Sequence, residues 1–147
     1  MAHEPGQKVA VESDFLFGLR KSDVRHASVI SALEKHKEGT LIITLLPSAV
    51  LETRAVLYSR GMKSKDVEDA FSLMAALLAE YGVAGSADLS LSDVIVAERM
   101  RVDMPSLTFF DSLHAATSKR LAMTVLSSEG SYERLGLAVI DLDKLKK

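Results

Sequence analysis

The feature that most limits the fold of this chain is an alternation of two periodicities along its length. Four short apolar runs, KVAVES (Lys8 to Ser13), TLIITLL (Thr40 to Leu46), MTVLSS (Met123 to Ser128) and LAVIDL (Leu137 to Leu142), are rich in β-branched residues and lack strict polar alternation. That pattern predicts strands buried on both faces. The segment SKDVEDAFSLMAALLAEYG instead places Val67, Ala70, Phe71, Met74, Leu77, Leu78 and Tyr81 on one helical face. Lys65, Asp66, Glu68, Asp69 and Ser72 fall on the other, which predicts an amphipathic helix. Further helices are predicted across Val24 to Lys37, Ser48 to Arg60, Ser90 to Val102 and Phe109 to Ala122. Ser90 with Asp93, and Thr108 with Asp111, match the capping-box spacing that satisfies free amide hydrogens at a helix start. Gly39, Gly61 and Gly82 stand where helices should stop. GVAGSADLS reads as a short strand and a loop. Parallel neighbours need a crossover, which is usually helical, so the expected class is α/β: a parallel sheet flanked by helices.

The length, 147 residues, suits one domain, expected over residues 8–147 behind a mobile N-terminus at 1–7. With no cysteine the chain offers no thiol nucleophile, no zinc-thiolate site and no disulfide. No apolar stretch approaches the ~20 residues of a membrane span, and the start lacks the features of a secretory signal, so a cytoplasmic protein is expected. A net charge of −2 argues against a wholly basic nucleic-acid binder, and 5% aromatic residues without tryptophan argue against a sheet that stacks bases. A nucleic acid would need a local patch or a bound cation.

In parallel α/β sheets ligands bind beyond the carboxyl ends of the strands. Glu12 directly follows the first run, Glu52 lies in the first turns of the helix after the second, Asp111 opens the helix before the third, and Glu129 follows that third run. Two carboxylates ~4 Å apart repel by about 4 kcal/mol at an effective dielectric near 20, so convergent acids must either protonate or bind a cation. Their oxygens suit hard ions such as Mg2+ or Mn2+, which can polarise a phosphoryl oxygen and lower the pKa of water. Taken singly, each acid has a plain structural role open to it. Asp111 completes a capping box, Glu52 is a helix-surface acid, and Glu12 and Glu129 sit in cap-like turns.

VAVESDFLFGL, SAVLETRAVLYSRG, FFDSLHAAT and VLSSEGSYERLGL, in this order, resemble the motifs of PIN domains, most closely the single-domain toxins of VapC type. The resemblance spans nearly the whole chain. It implies a three-layer PIN-like fold and a metal-dependent endoribonuclease, with RNA as substrate, Mg2+ or Mn2+ as cofactor, a homodimer and an antitoxin partner. Glu12, Glu52, Asp111 and Glu129 match the four acid positions and would be catalytic and metal-holding, with Asp14 and Ser13 as auxiliaries. The family usually has Asp where this chain has Glu12 and Glu129, and a second acid where it has Ser131. An inactive PIN-like module that binds metal or RNA is the alternative these differences raise.

Arg20, Lys21 and Arg25 follow the first acid motif, and Lys119 and Arg120 the third. They are candidates for holding RNA phosphates, set against the ordinary fate of such residues as solvated surface. His114, one turn beyond Asp111, reads as a packing or hydrogen-bonding residue. The chain has no Walker A loop, dinucleotide fingerprint or H-E-x-x-H motif.

Overall fold

The computed structural model describes residues 6–145. Five parallel strands, β1 (Gln7–Val11), β2 (Leu41–Leu45), β3 (Gly85–Ser86), β4 (Thr124–Ser127) and β5 (Val139–Asp141), form one sheet in the order β3-β2-β1-β4-β5. Six helices flank it: α1 (Ser13–Phe17), α2 (His26–Glu38), α3 (Pro47–Ser59), α4 (Ser64–Glu80), α5 (Leu91–Asp103) and α6 (Phe109–Arg120). This is the expected three-layer α/β architecture. The four apolar runs all supply strands, and GVAGSADLS supplies the two-residue β3.

Three local differences have physical causes. The first strand stops at Val11 rather than Ser13, because Glu12 turns the backbone and Ser13 opens α1, a single turn too short to leave a periodic signal. The helix after β2 starts at Pro47, whose missing amide hydrogen costs nothing at the first helical position. β1 begins at Gln7, within the segment expected to be mobile, and residues 1–5 of that segment lie outside the described residues.

The core follows from the doubly covered sheet. Val9, Ala10 and Val11 of β1 are fully buried, as are Val29, Ala32 and Leu33 of α2 and Val125 and Leu126 of β4. The valine and leucine side chains among them contribute roughly 1.5–3 kcal/mol each when fully buried. The brevity of β3 leaves the Ile43 amide on the outer edge of β2 without a strand partner. His36 Nδ1 accepts it at 3.0 Å while Nε2 faces the Gly82 carbonyl at 3.2 Å. The proton of the neutral ring therefore lies on Nε2.

Gly18 ends α1 in ordinary right-handed geometry, so its requirement is one of space rather than of backbone angle. A Cβ there would collide with the Val29 side chain of α2 and press on the Asp14 carbonyl. The Gly18 carbonyl is also tied to His26 Nδ1 at 2.9 Å. The residue that ends α1 is thus held closely against α2.

Candidate active site

β1 lies at the centre of the sheet, with β2 and β3 on one side and β4 and β5 on the other. The chain order reverses between β1 and β4, and this is where an open parallel sheet leaves a crevice beyond its strand ends. Val11 of β1 stands opposite Leu126 of β4 in the register. One residue further on, Glu12 and Ser127 meet across that gap, with the Ser127 hydroxyl donating to Glu12 Oε1 at 2.9 Å.

Glu12 is 4% exposed. Burial, followed by the charge of neighbouring Asp14, pushes its carboxyl up to about 8, against the opposing hydrogen bonds from Tyr132 and Ser127. Asp111 occupies the first turn of α6, where only half of the expected capping box forms. The Thr108 hydroxyl accepts the Asp111 amide at 3.2 Å, but the Asp111 carboxylate does not return to the Thr108 amide. It faces the site instead, with Oδ1 3.3 Å from the Tyr132 hydroxyl. Ser90 and Asp93, by contrast, complete their box in both directions. The comparison separates an acid used as a cap from one turned toward other acids.

Asp14 leans across from α1 to the segment after β4. Its Oδ2 accepts the Ser128 amide at 2.9 Å and the Ser128 hydroxyl at 2.7 Å, while its buried Oδ1 has no hydrogen-bond partner. Glu52 is reached from α3. Its Oε1 accepts the Ser13 hydroxyl at 2.6 Å and faces His114 Nε2 at 3.0 Å. Partial burial raises the Glu52 carboxyl, but the His114 and Ser13 hydrogen bonds outweigh it and leave the group below its usual range.

Ligand atoms of Glu12, Asp111 and His114 all lie within 4.8 Å of one another. His114 is fully buried, however, and its two ring nitrogens already face Ser48 Oγ at 2.6 Å and Glu52. With both nitrogens engaged it anchors Glu52 and is poorly placed to ligate an ion. The oxygens of Glu12 and Asp111 are hard, anionic donors of the kind that suits Mg2+ or Mn2+, and the unsatisfied Asp14 Oδ1 lies on neighbouring α1.

Among the described residues the remaining candidates send no side-chain hydrogen bond to this group, although the Glu129 amide donates to Ser127 Oγ at 2.9 Å. Glu129 is exposed, and its carboxylate faces the Ser131 hydroxyl of its own turn at 3.4 Å. Arg25 pairs with Asp143 at 3.2 Å. Arg120, at the last position of α6, binds buried Asp93 through Nε at 2.8 Å and Nη2 at 3.0 Å, joining α6 to α5. Nine residues separate it from Asp111, about 13 Å along a helix axis. Exposed Lys119 shares that far end. Arg20 and Lys21 border an apolar groove of about 670 Å³ between α1, α3 and α4.

Two contributors escape the sequence reading. Ser127 is recognisable only once β1 and β4 are known to be neighbours in register. Tyr132, fully buried in a 3-10 turn (Ser131–Leu135), donates its hydroxyl to Glu12 Oε2. Its position as the aromatic of the last motif is visible in the sequence, but the destination of its hydroxyl is not.

No protein-family model and no curated protein matches this sequence. Solved structures do. VapBC2 from Rickettsia felis, crystallised bound to a DNA fragment from its promoter, aligns with a TM-score of 0.69 at 14% identity, covering 92% of this chain and 98% of the other. The chain has a PIN-domain, VapC-type fold. FitAcB from Neisseria gonorrhoeae gives 0.65 at 16% identity, with 91% and 97% covered. The VapC20 toxin of Mycobacterium tuberculosis, described as cleaving the sarcin-ricin loop, gives 0.64 at 15%, with 88% and 96% covered. At these identities the likeness is one of fold. Within a PIN-domain fold, the crevice between β1 and β4 is formed here by Glu12, Asp14 and Asp111, with Glu52 held beside them through Ser13 and His114.

Proposed function

We propose that this protein is a Mg2+- or Mn2+-dependent endoribonuclease, the toxin of a toxin-antitoxin pair. The observation that carries the reading is the apposition of Glu12 and Asp111 at the strand-order reversal, with a buried, unsatisfied Asp14 oxygen beside them. Among the described residues no lysine or arginine pairs with these acids. Glu12, Asp111 and Asp14 would hold the ion. When bound, a divalent ion supplies positive charge for an RNA phosphodiester and makes water a better nucleophile. Glu52, whose carboxyl His114 and Ser13 hold below its usual range, would accept a hydrogen bond from water entering the site and orient it. Ser128 fixes Asp14, and Ser127 fixes Glu12, so the acids are positioned before substrate arrives. Glu129, at the exposed rim, would act as an outer acid toward ion or water. Arg20, Lys21, Arg25, Lys119 and Arg120 remain the proposed phosphate contacts, the last doubling as the clamp on Asp93. A homodimer and an antitoxin complete the proposal, in keeping with the likeness of the fold to the VapC20 toxin.

Purified protein should cleave single-stranded or loop RNA in Mg2+ or Mn2+ and lose that activity in excess chelator or as Asp111→Asn. Full cleavage under either condition excludes this mechanism. The second reading, an inactive module that binds metal or RNA, is favoured by one observation: a tyrosine hydroxyl already spans Glu12 and Asp111. Manganese binding by calorimetry without RNA turnover is its signature.

A further inference from the structure

The Tyr132 ring is packed with Ala115, Val125 and Leu137, and no part of the side chain is exposed. Its hydroxyl emerges between the two acids, donating to Glu12 Oε2 and lying 3.3 Å from Asp111 Oδ1. Ser127 occupies the other Glu12 oxygen at 2.9 Å. Both oxygens of Glu12 are therefore engaged by neutral donors, and the gap between Glu12 and Asp111 is taken by a phenol.

A phenol has one proton to donate and a carboxylate pair has several lone pairs to satisfy, so the bridge is a partial substitute for a cation. It holds the two acids together while bringing no positive charge of its own. The ring cannot swing into solvent without moving the 3-10 turn that carries it, because the same side chain fills the core beneath α6 and β4.

From this geometry we infer that Tyr132 sets the affinity of the acidic site for its divalent ion, by competing through its hydroxyl for the oxygens of Glu12 and Asp111. The inference rests on the metal-dependent reading above and assigns to this residue a positioning role that opposes binding. Ion entry requires the Tyr132 hydrogen bonds to be given up, so removing the hydroxyl while keeping the ring should tighten binding.

The test is calorimetric titration of metal-free wild type and Tyr132→Phe with MnCl2. A hydrogen bond to a charged group is strong enough that its prior loss should tighten Mn2+ binding by about tenfold or more. Binding that is equal or weaker in Tyr132→Phe, with wild type still binding, overturns the competition and leaves the nuclease reading standing. Mn2+ binding by Tyr132→Phe alone upholds the competition and makes wild type the inactive module. Absence of binding to both proteins removes the metal site and this inference together. A spectroscopic measurement keeps the test independent of how well the variant folds. The chain has three tyrosines and no tryptophan, so Mg2+ titration of wild type can be followed in the tyrosine absorption band. A saturating change that persists in the double variant Tyr58→Phe, Tyr81→Phe, where Tyr132 is the remaining tyrosine, is expected, and Mg2+ binding that leaves the band unaltered overturns the competition.

Discussion

Burial and a neighbouring negative charge act on Glu12 in the same direction. A carboxyl that holds its proton more firmly in the folded chain than in the unfolded one gives the folded state an extra proton across the interval between the two pKa values. Folding stability therefore falls as pH rises from about 4.5 to about 8 through this group. Glu52 and Asp93 are lowered, so their contributions are in place above the usual carboxylate range and disappear on acidification below it. Scanning calorimetry of metal-free protein at the two ends of the Glu12 interval should show a lower Tm at the alkaline end, and Glu12→Gln should flatten that difference. At this scale the sequence was informative about residue types and less so about directions. Glu12 and Asp111 face the crevice because each directly adjoins an element whose position the topology dictates. The direction of Glu129 depends on the turn from Ser128 to Ser131, where backbone angles rather than periodicity decide. Ser127 and Tyr132 carry their hydroxyls to Glu12 from more than a hundred residues away, a relation no local pattern encodes.

Among the elements, α6 shows how one helix divides its work between its ends. Its first turn presents Asp111, and its last residue clamps Asp93 of α5 with the help of Thr117 at 3.1 Å. Arg120→Ala should lower Tm by a few degrees, since Asp93 is buried and keeps only Thr117 and Ser90 as partners, while leaving Mn2+ affinity unchanged. Calorimetry reads both quantities. Immediately beyond the helix, Ala122 adopts φ 52°, a left-handed conformation that disfavours any residue with a Cβ. Ala122→Gly removes that strain against the greater freedom of glycine in the unfolded chain, and should leave a net gain of up to about 1 kcal/mol in urea denaturation. Helix spacing in the sequence anticipated five of the six helices. α1 escaped it because five residues span little more than one turn, too few for a repeat to register.

For the whole molecule, the site and the stability of the fold are linked. An ion that binds only the folded chain stabilises it by about 2.7 kcal/mol at about a hundredfold excess over Kd. The Tm of the protein should therefore rise with added Mn2+, more at the alkaline end of the Glu12 interval, and return on chelation. The parallel architecture was readable because doubly buried strands and their crossover helices leave two distinct periods in the chain. The order of the strands left no such trace. β1 could have paired with several neighbours on pattern alone, and only its placement between β2 and β4 brings Glu12 to Ser127. The contact of Gly18 with Val29 gives that arrangement a hydrocarbon backstop. α1 carries Ser13 and Asp14, and Gly18 follows directly on it at a point where any side chain would run into Val29 of α2. The reach of these two side chains into the crevice is thus fixed from the rear by a missing methyl group, and an alanine at position 18 would loosen the acids without altering any of them.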